Sequence, residues 1–180
     1  SLKNDFQKQI TYLSNTIDDF QNFFKPKKDK ELFRIKDMVT TTYSLLQPLF
    51  DKNQIKLDID IDSEITYFGY KNELSQVLLS ILNNSKDALI ENTMSNRLIN
   101  ISLIQSKNNL LIIIEDNAKG IKESILGNIF DPYFSTKNTK NGTGLGLYMS
   151  KIIINEHFKG NISANNRNDG LEIVIKIPKQ

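Results

Sequence analysis

Between residues 55 and 62 the chain alternates strictly: Ile55, Leu57, Ile59 and Ile61 are aliphatic, while Lys56, Asp58, Asp60 and Asp62 are charged. A period of two places every aliphatic side chain on one face of an extended strand, so this segment needs a sheet with one face covered. The same period returns at Ile99, Ile101 and Leu103, and again at Leu171, Ile173, Ile175 and Ile177. From about residue 72 to 91 the period is instead that of a helix. With Leu74 as zero and 100° per residue, Leu74, Val77, Leu78, Ile81, Leu82, Ser85, Ala88 and Leu89 fall in one arc that must face a core. The aliphatic run LLIII at 110–114 reads as a fully buried strand and is far shorter than the roughly 20 residues of a bilayer-spanning helix. Shorter strands are expected at Phe33 and Ile35, at ITYFG and at ISAN. Further helices are expected from an N-cap at Asp37 towards Lys52, kinked or shortened by Pro48, and over residues 143–157. Interleaved strands and helices that end in hairpins predict an α+β fold, a single sheet covered by helices and not a doubly wound parallel sheet.

The opening residues obey a different rule. Phe6, Ile10, Leu13, Ile17, Phe20 and Phe24 are spaced 4, 3, 4, 3, 4, a heptad seam. That spacing favours a partner helix over a helix lying on its own domain. Pro26 stops the pattern, and KPKKDKE follows as a charged connector. The expected division is a coiled-coil helix over 1–25, a linker over 26–31 and a globular domain over 32–180. A chain of 180 residues has room for one such core plus the appendage. Its net charge of +2 is too small to argue for nucleic acid or for an anionic membrane. The absence of cysteine excludes disulfides and thiolate metal sites. No signal peptide opens the chain, and it begins with Ser1, so a cytoplasmic fragment of a longer protein is expected.

Three places carry candidate chemistry. On the helix of residues 72–91, Ser80, Asn84, Asp87 and Glu91 form a polar stripe flanking the core arc, and Asn83 falls opposite the core. The amide of Asn84 suits a hard cation such as Mg²⁺, or else it satisfies a nearby backbone group. The buried strand ends in EDNAKG, where Asp116 is either a rigid acceptor for an exocyclic amine among apolar walls or part of a turn. Lastly, NGTGLGLYMSK sets glycines at alternate positions just before a helix, baring backbone N–H groups that can meet an anion. Lys137 and Lys140 lie in the same loop, whose composition suits a mobile lid. The spacing matches neither G-x-G-x-x-G nor the P-loop fingerprint.

Taken in order, these pieces resemble the ATP-binding domain of sensor histidine kinases, in the wider group with gyrase, the Hsp90 chaperones and the MutL mismatch-repair proteins. QVLLSILNNSKDA resembles the N box, IEDNAKGI the G1 box, FDPYFSTK the F box and NGTGLGL the G2 box, over about residues 33–178. TIDDFQNFFKP resembles the second helix of the dimerisation and phosphotransfer domain of the same kinases. The resemblance implies a two-layer α/β sandwich of the GHKL (Bergerat) type, a mixed sheet under three helices. It implies ATP and Mg²⁺ as ligands, with Asn84 on the metal and Asp116 on the adenine amine. Gly120 would permit close approach, Phe130, Tyr133 and Phe134 would anchor the lid, and Lys137 would lie near the phosphates. Gly142, Gly144 and Gly146 would donate backbone N–H groups, and Asp87, Lys119, Ile121, Thr143, Leu145 and Leu147 would complete the ATP site.

Two departures bear on mechanism. Ser80 stands where the N box has its first asparagine and where gyrase-type ATPases place a glutamate base, and serine cannot be that base. Ala118 and Lys119 replace the glycine-rich continuation of the G1 box. The chain's one histidine, His157, sits late in the last helix, where the family keeps a structural histidine. No catalytic residue is therefore expected within the chain itself, and the phosphoacceptor histidine would lie upstream. The implied activity is ATP-dependent protein-histidine kinase activity within two-component signalling. The implied partners are a phosphotransfer helix hairpin of its own or a sister subunit, a response-regulator receiver domain and a second copy in a homodimer, with no nucleic acid and no membrane contact. Two other readings remain at this point: an ATP-driven conformational ATPase, and a nucleotide-binding module that has lost transfer.

Overall fold

The computed structural model describes residues 29–92, 95–135 and 143–179. The expected coiled-coil helix of residues 1–25 lies outside them. In chain order the elements are β1 (Glu31–Arg34), α1 (Ile35–Lys52), β2 (Ile55–Asp60), β3 (Thr66–Gly69), α2 (Lys71–Glu91), β4 (Arg97–Gln105), β5 (Asn109–Asp116), the short α3 (Glu123–Leu126), α4 (Gly146–Ile152), β6 (Asn161–Arg167) and β7 (Gly170–Pro178). A single π turn, Ile153–His157, prolongs α4.

β2, β4, β5, β7 and β6 form one sheet in that order, and β1 and β3 form a separate two-stranded ribbon. β2 runs parallel to β4 and the remaining neighbours are antiparallel, so the sheet is mixed. The parallel pair requires a crossover, and α2 supplies it. One face of the sheet presents Ile99, Ile101, Ile112, Ile114, Ile173 and Ile175, all buried. Against these the helices bring Met38, Val39 and Phe50 from α1, Leu74, Leu78 and Ile81 from α2, and Ile153 and Ile154 from the π turn. The expected α+β sandwich is the fold observed. Among the described residues no helix is long and apolar enough to cross a membrane.

Four local expectations change. β5 is not buried on both faces: Leu110, Ile112, Ile114 and Asp116 are buried, and Leu111, Ile113 and Glu115 are only half-buried. Among the described residues helices cover one face alone, and on the other the aliphatic residues shield each other across strands, Leu111 opposite Ile104 and Ile113 opposite Val174. α1 starts at Ile35 and takes no cap from Asp37, because the Ile35 N–H donates to Ile65 O at 3.0 Å and fixes the start from outside the helix. Asp37 instead lies in the first turn, where its charge complements the helix dipole. Pro48 does not shorten α1. It is exposed, so the carbonyl it orphans one turn back can turn to water. Finally, the last helix begins at Gly146 and not at residue 143.

The end of the π turn is fastened to the start of α2. His157 Nδ1 and Glu73 Oε2 lie 2.7 Å apart, the Tyr70 ring meets His157 edge-on, and Tyr67 stacks on Phe158. This bolt sets α4 alongside α2, with consequences for the space between them.

Candidate functional site

A cavity of about 580 Å³ opens between α2, the end of β5, the 118–121 segment and the start of α4. Its size lies within the range of small-molecule sites. On α2 the polar stripe faces it: Ser80, Asn84, Asp87 and Glu91 all line the cavity. So does Asn83, which the helical wheel set facing solvent. Gln76 lines it as well, so the cavity wall reaches past the stripe around α2.

Asp116 ends β5 and is only 9% exposed. Its Oδ1 accepts the Ala118 N–H at 3.0 Å and the Leu171 N–H at 3.3 Å. The Ser85 hydroxyl also hydrogen-bonds this carboxylate. Burial pushes the Asp116 pKa above its ordinary value, and the three donors partly oppose that rise. Apolar side chains of Val77, Ala88, Ile121, Ile129 and Ile173 share the same cavity wall. A carboxylate held rigidly among apolar walls can grip a flat, amine-bearing ring: the walls cover the faces and the carboxylate takes the donor.

The segment after Asp116 is a turn that also forms part of the cavity wall. Lys119 and Gly120 adopt φ of 65° and 66°, an uncommon pair of left-handed residues. A Cβ on Gly120 would run into Asn166 Oδ1, so glycine is needed there for space as well as for conformation. Asparagines hold the segment in place. Asn117 Oδ1 accepts the Leu98 N–H at 2.9 Å and its Nδ2 donates to Asn96 O at 2.8 Å. Asn92 Nδ2 donates to Ala118 O at 3.0 Å.

Of the expected site residues, Asn84, Asp87, Asp116, Gly120, Ile121, Thr143, Gly144, Leu145, Gly146 and Leu147 line one cavity. Phe134 lines it as well. Lys119, Phe130 and Tyr133 are not among the lining residues: Lys119 points to solvent, Phe130 is buried in the core and Tyr133 is 58% exposed. Lys137, Lys140 and Gly142 lie outside the described residues. Ser85, counted as a core position from its place on the helical wheel, proves to serve the site. A serine in an otherwise aliphatic arc was the available signal, since a buried hydroxyl needs a partner. Asn92 and Asn166 gave no sequence signal, because the groups through which they hold this segment, Ala118 and Ile121, are backbone groups distant along the chain.

The donor set fits Mg²⁺ arriving with a phosphate ligand. Asn84, whose side chain includes an amide oxygen, lines the cavity. Among the described residues no group of three His, Cys, Asp or Glu could hold a metal alone. Such a sparse set suits an ion that keeps waters and takes most of its remaining ligands from phosphate oxygens.

Sheet, helices and cavity define an α/β sandwich with a small-molecule-sized site beside α2. Residues 69–180 match the family described as histidine kinase-, DNA gyrase B-, and HSP90-like ATPase. The chain is 28% identical over 151 residues to sporulation kinase B of Bacillus subtilis (strain 168), covering 83% of this chain and 34% of that protein. It is 33% identical over 153 residues to the signal transduction histidine-protein kinase AtoS of Escherichia coli (strain K12), covering 83% of this chain and 24% of that one. It thus spans about a third or less of these relatives. Its fold is similar to the nucleotide-free catalytic domain of histidine kinase ThkA, with TM-score 0.74 and 25% identity over 84% of this chain and 97% of that one. It is also similar to the Acinetobacter baumannii histidine kinase AdeS, with TM-score 0.77 and 22% identity over 99% and 84% of the two chains. The chain belongs to the histidine kinase-, DNA gyrase B- and HSP90-like ATPase family, as a catalytic ATP-binding domain of the sensor histidine kinase kind.

Proposed function

We propose that this domain binds ATP together with Mg²⁺ and presents the γ-phosphate to a histidine on a phosphotransfer helix hairpin of its own or a sister subunit. The observation that carries the reading is one cavity lined by Asp116, Asn84 and the glycines Gly144 and Gly146. Asp116 accepts from the adenine amine while Val77, Ala88 and Ile121 cover the ring. Asn84 would hold the ion, which when bound supplies charge neutralisation at the phosphates. The segment from Thr143 to Leu147 borders the triphosphate, where glycine lets backbone N–H groups approach. In the transfer a bond forms between an imidazole nitrogen and the γ-phosphorus as the bond to the bridging oxygen breaks, and ADP leaves with that oxygen. The domain contributes position and electrostatics and no nucleophile.

His157 supports this division of labour: it is engaged with Glu73 at 2.7 Å and packed against Tyr70. Ser80 lines the cavity without a carboxylate, which disfavours the reading as a water-activating ATPase. Onward transfer to the aspartate of a response regulator, homodimerisation through residues 1–25 and a cytoplasmic location complete the proposal. A solved complex of histidine kinase ThkA with the response regulator protein TrrA, of similar fold at TM-score 0.76 and 22% identity over 98% of this chain and 50% of that one, is compatible with such a partner.

The test mixes this chain with a separate phosphotransfer hairpin and γ-labelled ATP. Label on the hairpin's histidine, lost when Asp116 or Asn84 is changed to Ala, is expected. ATP binding with no transfer would favour the module that only binds, and steady hydrolysis near one per second by the chain alone would favour the ATPase.

A further inference from the structure

The edge strand β6 carries a residue that the nucleotide reading does not use. The side chain of Asn166 turns back to the segment after Asp116. Its Nδ2 donates to Ile121 O at 2.7 Å and its Oδ1 accepts the Ile121 N–H at 3.0 Å. One amide thus satisfies both backbone groups of Ile121, as a neighbouring strand would. The same Nδ2 also donates to Glu123 Oε1 at 2.7 Å, reaching the first turn of α3. The hairpin that carries Asn166 grips the 116–121 segment at two further points. The Lys119 N–H donates to Asp169 O, and the Leu171 N–H donates to Asp116 Oδ1 at 3.3 Å. The turn also sits against the end of β5, since a Cβ on Gly170 would collide with Asp116 O. The β6–β7 hairpin therefore meets the 116–121 segment at Asp116, at Lys119 and at Ile121, and at Ile121 the contact is made by a replaceable side chain.

We propose that Asn166 is a specificity-determining positioning residue. By pairing both backbone groups of Ile121 it fixes Gly120 and Ile121 beside Asp116, at the separation a purine ring needs for its amine to reach that carboxylate. Without the amide the two Ile121 groups turn to water and the wall relaxes away from the ring. The hydrogen bond to the amine then weakens, because it depends steeply on distance and angle. Asparagine alone suits this double contact. Serine is too short to meet both groups at once, and aspartate keeps the acceptor, loses both donations and faces Glu123 with like charge.

The inference rests on Asp116 being the partner of the adenine amine, and its test separates the two ideas. Dissociation constants are measured for ATP and for inosine triphosphate, which carries a carbonyl in place of the amine. The proteins are the parent chain, Asp116→Ala, Asn166→Ala and the near-isosteric Asn166→Asp, and unfolding midpoints are recorded beside them. The parent is expected to prefer ATP, and Asp116→Ala to lose the preference. Both Asn166 variants are expected to cut the preference about fivefold, the scale of one hydrogen bond, whatever happens to their midpoints. If Asp116→Ala loses the preference and the Asn166 variants keep it in full, Asn166 is merely structural and the inference fails. If Asp116→Ala keeps the preference, the base-site reading itself fails and takes this inference with it.

Discussion

Gly144 and Tyr133 pack backbone against backbone: a Cβ on Gly144 would lie 2.7 Å from the Tyr133 carbonyl carbon and 2.8 Å from its Cα. Both residues are left-handed, with φ of 68° and 62°. In sequence they flank the stretch expected to cover the nucleotide. Gly144→Ala meets both a disfavoured φ and an unyielding backbone, and a loss of roughly 1–3 kcal/mol is expected. Gly127→Ala is the control, because φ there is −67° and nothing lies within 4 Å of the added methyl. Urea unfolding should show the first variant destabilised and the second unchanged, with ATP affinity lowered in the first alone.

Asp116 should trade stability for binding. Burial raises its pKa in the folded chain, so between the unfolded and folded values the native state holds more protons. Stability therefore falls as pH rises through that window, and above it the buried charge bears its full cost. Asp116→Asn removes the charge. At pH 7 the nucleotide-free variant should unfold no earlier than the parent, and its advantage should shrink as pH drops below the raised pKa. Its thermal shift with Mg²⁺-ATP, about 2.7 kcal/mol at 100 times the dissociation constant for the parent, should largely vanish. Differential scanning calorimetry over a pH series, with and without nucleotide, reads both effects.

Much of this site was legible beforehand because its parts are local. The helical wheel of residues 72–91 placed Asn84 on a flank of the core arc, and that flank faces the cavity. The run 110–114 announced β5 and hence a rigid perch for Asp116, although its second face proved only half-covered. What stayed hidden depends on contacts between distant segments. Asn166 meets Ile121 across 45 residues and Asn92 meets Ala118 across 26, and neither distance leaves a periodicity to read. The start of α1 was misplaced for the same reason, since Ile65 holds it from a later strand connection.

The His157–Glu73 contact joins the end of α4 to the start of α2, with both side chains largely shielded at 12% and 22% exposure. A hydrogen bond to a charged group is worth about 1.5–3 kcal/mol, so His157→Ala or Glu73→Gln should cost on that order. The two losses should not add, since each removes the same bond. A double-mutant cycle by chemical denaturation measures this. Transfer to an external hairpin histidine should persist in His157→Ala at temperatures where it stays folded.

Asn84→Ala should act through the metal alone. Without the amide oxygen, affinity for ATP in Mg²⁺ should fall by about tenfold or more, while affinity in excess EDTA should match the parent. Calorimetric titration in the two buffers gives the comparison. Equal losses in both would mean that Asn84 touches the nucleotide itself.

The central claim is that a single cavity takes adenine at Asp116 and a phosphate-bound ion at Asn84. A crystal structure of the chain with Mg²⁺ and a non-hydrolysable ATP analogue tests it directly. The adenine amine should lie within about 3 Å of the Asp116 carboxylate, and the ion should be bound to the Asn84 amide oxygen. A purine seated away from Asp116, or a cavity left empty at saturating analogue, would contradict it.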